Sequence, residues 1–210
     1  PDVDFAMAEK HSWYLGQFVW TGFDYLGEPT PYNNDSWPSH SSLFGIIDLA
    51  NLPKDRYYLY RSQWNKKEHT LHILPHWNWE GREGQITPIM VYTDYQEAEL
   101  FVNGKSVGKQ HKWTFQEVEA AKDDSLALLR RYRLIWNDVR YEPGKIMVVA
   151  YDEQGKPVMR DSVKTAGAPY RLKAIPQKKF LSSKKDELMF IRLEVVDKDG
   201  SLCPNSNELI

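Results

Sequence analysis

The sequence predicts a mixed fold: the closing piece of a (β/α)8 TIM barrel, then an all-β immunoglobulin-like sandwich, then an incomplete second sandwich. Three observations predict it. Before Lys66 the pattern is helix, strand, long loop, helix, too little to bury a core alone but equal to one repeat unit of such a barrel. After Lys66, short alternating runs recur with turn signals between them, the pattern of a sandwich. From Ala168 onward strands begin again, but only about forty residues remain, fewer than the roughly 100 a sandwich needs. The expected domains are therefore 1–65, 66–167 and 168–210.

Residues 4–11 carry good helix formers behind an acidic start that complements the helix dipole. Residues 16–23 are an aromatic and β-branched run between glycines, apolar enough for a strand buried on both faces, as in parallel sheets. A loop of roughly thirty residues follows, rich in Pro, Asn, Ser and Trp. Loops that long inside a domain are usually functional, and the aromatic content argues against disorder. In a barrel this loop belongs to the C-terminal face, where active sites are built. Pro53 opens a second helix through about Trp64, with Tyr57, Tyr60 and Trp64 on one stripe.

Residues 69–74, 87–93 and 97–102 alternate or run apolar at strand length. Asn103-Gly104 signals a hairpin, because a type I′ turn needs positive φ at both central positions. Residues 118–129 are charged and alanine-rich, an insertion or a short helical excursion. Strands resume at 132–135 and 146–151, with Glu142-Pro143-Gly144 and Asp152-Glu153-Gln154-Gly155 as turns. In the last stretch Leu172-Lys173-Ala174 and residues 188–196 are strand-like, and Asp197-Lys198-Asp199-Gly200 is a turn.

Composition excludes several classes. A net charge of −2 with no Lys/Arg cluster leaves no electrostatic footprint for nucleic acid. No run approaches the roughly 18 apolar residues of a membrane span. The single Cys203 rules out an intrachain disulfide framework and a cysteine zinc cage. Neither a phosphate-binding glycine loop nor a nucleophile elbow occurs, and no cofactor or metal ligand is assigned. His72 and His76 are four apart, but Pro75 between them argues against a shared metal face. Asn34-Asp35-Ser36 matches a glycosylation acceptor only weakly. Aromatics reach 13%, and flat apolar faces with polar edges suit sugar rings, although most such residues belong in cores and sheets. Pro1 in place of an initiator Met, and a C-terminus just past a strand-like run, lead to the expectation of a piece of a longer polypeptide.

Gln17-Phe18-Val19-Trp20-Thr21-Gly22-Phe23-Asp24-Tyr25-Leu26-Gly27-Glu28-Pro29-Thr30 resembles the eighth barrel strand of glycoside hydrolase family 2, in its β-galactosidase branch. Ser42-Leu43-Phe44-Gly45-Ile46-Ile47-Asp48-Leu49 and Pro53-Lys54-Asp55 resemble the rest of that loop and the entry to the last helix. His72-Ile73-Leu74-Pro75-His76-Trp77-Asn78-Trp79 and Glu99-Leu100-Phe101-Val102-Asn103-Gly104 are similar to the sandwich that follows the barrel there, and Thr165-Ala166-Gly167 opens its next Ig-like module. The resemblance implies a retaining exo-glycosidase that removes a terminal β-linked sugar, usually galactose, from a carbohydrate substrate. It also implies a periplasmic or cell-envelope location.

Retention requires two carboxyl groups about 5–5.5 Å apart. In the family both are glutamates on earlier barrel strands, so no catalytic residue is assigned here, and the missing N-terminal part of the same polypeptide is the expected partner. By position, Trp20 is similar to the family tryptophan that floors the subsite of the cleaved sugar. Physically, an indole at a strand end offers an apolar face to sugar C–H groups and keeps an N–H donor. Asp24 and Glu28 follow as candidates, Asp24 for a sugar hydroxyl or for supporting the residues that bind it, with a loop-capping acid as the alternative. They are not a catalytic pair at helical spacing, because Pro29 pushes Glu28 into extended backbone. Tyr25, Tyr32, Asn33, Asn34 and Trp37 complete the candidate rim. A second class of protein also fits: a non-catalytic Ig-like carbohydrate-binding or adhesion module using Trp77 and Trp79. The alternative for that pair is packing of the sandwich against the barrel.

Overall fold

The computed structural model describes residues 1–28, 41–121, 123–183 and 186–209. Two helices come first, α1 (Asp2–Lys10) and α2 (Asp55–Trp64). Then follow β1 (Leu71–Leu74), β2 (Ile89–Thr93), β3 (Glu97–Val102) and β4 (Lys105–His111). The short helices α3 (Phe115–Ala120) and α4 (Ala127–Tyr132) lead into β5 (Leu134–Trp136), β6 (Lys145–Tyr151) and β7 (Pro157–Lys164). The ribbon β8 (Arg171–Pro176) and β9 (Ile191–Val196) ends the series.

Strands β1-β2-β5 form one antiparallel sheet and β4-β3-β6-β7 another. Their facing sides share one core. Leu71, Ile73, Ile89, Val91, Leu134 and Trp136 meet Ala98, Leu100, Val102, Ile146, Val148 and Ala150. The two-residue alternation visible in β1 and β3 is what puts these side chains on one face each. This is a β-sandwich. Asn103 (φ 50°) and Gly104 (φ 80°) make the tight turn between β3 and β4.

β2 is buried on both faces. While Ile89 and Val91 point into the sandwich, Tyr92 joins a second cluster with Phe5, Leu59, Tyr60 and Tyr132. Phe5 meets Tyr60 and Tyr132 at ring-centroid distances of 5.7 and 5.2 Å. That cluster fastens α1 and α2 to the outside of the first sheet. Buried Arg133, paired with Asp2, reinforces the join.

The helical excursion expected at 118–129 is two short helices, and α3 begins with a capping box between Thr114 and Glu117. β7 escapes sequence reading because it is a polar, exposed edge strand that starts at a proline. The strand expected at 16–23 does not form among the described residues. Its single ladder position is a parallel bridge between Phe23 and Ile47. A strand is defined by a partner, and none lies beside 16–20 here, where Leu15 and Phe18 are fully exposed. Of Tyr57, Tyr60 and Trp64, Tyr60 is buried and Trp64 is half-exposed, and both meet the Phe5 ring edge to face, at 5.7 and 6.0 Å.

In the ribbon, Leu172, Ala174 and Pro176 stand opposite Val195, Leu193 and Ile191, giving one apolar face. The other face carries the Lys173–Glu194 pair.

Candidate functional site

Residues 41–54 fold back on 20–25 and fix the turn that carries the candidates. Backbone N–H groups of Thr21, Ile46, Ile47 and Asp24 donate to the carbonyls of Phe44 (3.3 Å), Thr21 (3.0 Å), Gly22 (3.0 Å) and Ile47 (2.9 Å). Fully buried Ser42 adds two more, accepting from the Tyr25 N–H at 3.0 Å and donating its own N–H to the Tyr25 carbonyl at 2.9 Å. The segments approach so closely at Gly45 that no side chain fits there.

Asp24 is only 8% exposed. Its Oδ1 accepts from the Gly45 N–H at 2.8 Å and from Lys54 Nζ at 2.8 Å, and Oδ2 lies 2.7 Å from the same ammonium. A buried carboxylate held this way is a brace between the two segments. Sequence reasoning missed Lys54 as its partner. A signal was present: Lys54 is the N-cap residue of α2, where the helix dipole disfavours a cation and the side chain makes no cap bond. A lysine in that position is being used for something else.

Trp20 has the opposite environment, 69% exposed. Its indole N–H donates to the Tyr25 hydroxyl at 3.3 Å, and the two rings meet edge to face at 6.3 Å and 85°. The Tyr25 hydroxyl in turn donates to Glu28 Oε2. Trp20, Tyr25 and Glu28 thus form one hydrogen-bonded chain running from an open indole to an exposed carboxylate, while Asp24 turns away from it. The Trp20–Thr21 peptide is cis. Chemically, the chain pairs an apolar plate for C–H groups with acceptors for hydroxyls. Tyr32, Asn33, Asn34, Trp37 and the Asn34-Asp35-Ser36 tripeptide lie outside the described residues.

The expectation that Trp77 and Trp79 pack the sandwich against a barrel is corrected for Trp77. It is wholly buried inside the sandwich, donates to the Glu142 carbonyl at 2.8 Å and meets Tyr141 edge-on. The reason is that an indole buried there fills the core and still finds an acceptor. Trp79 stacks on His76 at 4.3 Å, with Arg82 at 5.1 Å over its ring, so its own loop covers it. His72 is turned to Asp55 (2.7 Å) and stacked on Tyr58, tying β1 to α2 and away from His76. Among the described residues no group of three or more His, Cys, Asp or Glu is placed to hold a metal ion, and no helix is long and apolar enough to cross a membrane.

A family described as "Domain of unknown function (DUF4982)" matches residues 84–159. The chain is 43% identical over 204 residues to "Beta-galactosidase BoGH2A" of Bacteroides ovatus, covering 97% of this chain and 21% of that protein. It is 33% identical over 199 residues to a "Putative beta-glucuronidase" of Formosa agariphila, covering 91% of this chain and 17% of that protein. Among solved structures it superposes with TM-score 0.78 on a β-glycosidase from Bacteroides vulgatus, at 35% identity, covering 96% of this chain and 23% of that one. A glycosyl hydrolase family 2 member from Bacteroides cellulosilyticus gives 0.75 at 26% identity, covering 94% and 28%. In each case the matching stretch is one segment of a longer glycosidase. The chain is similar along nearly its whole length to a segment of glycoside hydrolases that include family 2 members. It spans about a fifth of the curated relatives it matches.

Proposed function

We propose that this chain is part of a retaining exo-β-glycosidase of the β-galactosidase type. Residues 1–65 close its (β/α)8 barrel and supply one wall of the pocket for the terminal sugar. Residues 66–167 are the Ig-like sandwich bracing that wall, and 168–210 begin a second one. The carboxylate pair that breaks the glycosidic bond is supplied by a part of the polypeptide outside this chain. The periplasm or cell envelope is the proposed location, on the resemblance alone.

One observation carries this reading: the Trp20–Tyr25–Glu28 chain. Stacking on Trp20 adds on the order of 1 kcal/mol beyond area burial, by analogy with aromatic pairs. The Tyr25 hydroxyl and the Glu28 carboxylate receive sugar hydroxyls, and Asp24 stands behind them as support. Glu28 also favours a neutral galactoside over a uronate, whose own carboxylate it repels. The exposed Val3, Leu15, Phe18, Leu43 and Leu49 support the barrel reading, as apolar side chains that neighbouring staves would cover.

The test compares 4-nitrophenyl β-galactoside and β-glucuronide with the full-length polypeptide and its Trp20→Ala variant. The galactoside is hydrolysed, and Trp20→Ala lowers kcat/KM by about tenfold or more. A full-length protein that cleaves neither substrate, or a Trp20→Ala variant that is unimpaired, overturns the reading.

A further inference from the structure

We propose that Lys54 and Asp24 are a positioning pair for the sugar platform: their ion pair sets the angle and height at which Trp20 is presented, so Lys54 governs substrate affinity without touching substrate. The inference rests on the glycosidase reading for its kinetic arm and on geometry alone for its spectroscopic arm.

The case begins with what Lys54 joins. Its ammonium lies 2.8 and 2.7 Å from the two oxygens of Asp24 and 3.4 Å from the Leu43 carbonyl, and its backbone N–H donates to the Ile46 carbonyl at 2.9 Å. One residue at the head of α2 therefore holds both the turn bearing the aromatic chain and the segment returning beneath it. Asp24 adds a bond to the Gly45 N–H and sits directly before Tyr25 in sequence. Tyr25 is in turn fixed through its backbone to Ser42 and through its hydroxyl to Trp20 and Glu28. The path from Lys54 to the indole passes through Asp24 and Tyr25, with an ion pair or a hydrogen bond at each non-covalent step.

The energetics make the pair decisive for position. Asp24 is nearly closed off from water, whereas the Lys54 side chain keeps about a third of its surface. Removing the ammonium leaves a buried carboxylate with only the Gly45 amide, and the turn relaxes to bring that carboxylate to water. Because Tyr25 follows Asp24 without a spacer, the turn carries the phenol and indole with it. A displacement of about 1 Å at a binding group changes rates by up to about a hundredfold. The elements carrying Lys54 are otherwise anchored, since α2 packs through Leu59 and Tyr60 into the cluster beneath β2. Loss of the pair therefore leaves the helix in place and frees the turn.

The experiment uses the full-length polypeptide, labelled with 5-fluorotryptophan, as wild type, Lys54→Met, Lys54→Arg, Asp24→Asn and the double variant Asp24→Asn/Lys54→Met. Trp20→Phe assigns the Trp20 fluorine signal. For Lys54→Met we expect KM for the galactoside to rise about tenfold or more while kcat falls less than about threefold, and the Trp20 signal to shift or broaden at temperatures well below unfolding. Lys54→Arg restores both. Asp24→Asn reproduces the Lys54→Met phenotype, and the double variant is no worse than either single one. A Lys54→Met protein with unchanged KM and an unchanged Trp20 signal overturns the proposal, as does a loss of kcat alone. If Lys54→Met does not fold, the near-isosteric Asp24→Asn decides on the same two readouts. A wild type that cleaves no glycoside sinks the glycosidase reading, and the fluorine signal then still decides the positioning role.

Discussion

A methyl group placed on Gly45 would stand 2.2 Å from the Asp24 amide nitrogen and 2.4 Å from the Phe23 carbonyl carbon. The two segments under the candidate site touch backbone to backbone. Neither atom belongs to a side chain that can rotate away. Gly45→Ala is therefore expected to cost at least the roughly 1–3 kcal/mol of ordinary overpacking. Both the thermal midpoint of the full-length polypeptide and, on the proposed glycosidase reading, its galactoside KM should worsen. A Gly45→Ala protein that melts and binds like wild type would show that the segments are not packed this way.

Tyr25 links Trp20 to Glu28 through one hydroxyl. Tyr25→Phe keeps the ring and removes both bonds, each with a net value of about 0.5–1.5 kcal/mol. A fall of roughly 5- to 100-fold in kcat/KM for the galactoside is the expected result, with the fold unaffected. Glu28→Gln tests the charge separately. It should raise the ratio of glucuronide to galactoside turnover, because a repelling carboxylate is replaced by a neutral amide. An unchanged ratio would remove Glu28 from the specificity argument.

The two halves of the chain differ in how far the sequence foretells them. In β3 the run from Glu97 to Val102 alternates cleanly and is bounded by an Asn-Gly turn, so local pattern and tertiary environment agree. β7 carries charges on both sides and a leading proline, and only its pairing with β6 makes it a strand. Residues 16–23 have the composition of a buried strand, but among the described residues only 21–23 find a backbone partner, in 44–47, and composition cannot supply one for 16–20. At the site, Trp20, Tyr25 and Glu28 are visible as a motif, yet their connection through one phenol is not. Asp24 looks like an open carboxylate in the sequence, because its pairing with a lysine thirty residues away is a tertiary fact.

Trp77 is the largest fully buried side chain of the sandwich, and its indole N–H is satisfied by the Glu142 carbonyl. Trp77→Ala should cost about 3–5 kcal/mol, the usual penalty for truncating a buried aromatic. Trp77→Phe should cost less, since most of the volume stays and one hydrogen bond is lost. Urea unfolding followed by circular dichroism separates the three proteins. If Trp77→Ala unfolds within about 1 kcal/mol of wild type, Trp77 is not a core residue of this sandwich.

Lys112 provides a pH test of the sandwich edge. Burial pushes its ammonium down to about 8 from an ordinary 10.5; Asp94 and Glu9 pull it back up, and Lys66 and Arg131 press it lower. The folded protein therefore holds this proton less tightly than the unfolded chain does. Between pH 8 and 10.5 the unfolded state binds more protons, so the Lys112 contribution to stability rises with pH across that window. Below about pH 8 both states are protonated and the burial cost is felt in full. Lys112→Met removes the titration and keeps the chain length. The variant should be more stable than wild type at pH 7, by up to about 3 kcal/mol, with the gap narrowing as pH approaches 10. Buried tyrosines such as Tyr92, whose hydroxyl burial pushes up, lose stability as pH climbs past their ordinary range. They are common to both proteins, so the difference between the two urea midpoints isolates Lys112. A gap that is constant from pH 7 to 9.5, or one that widens, would mean the ammonium is as well solvated in the folded state as in the unfolded chain.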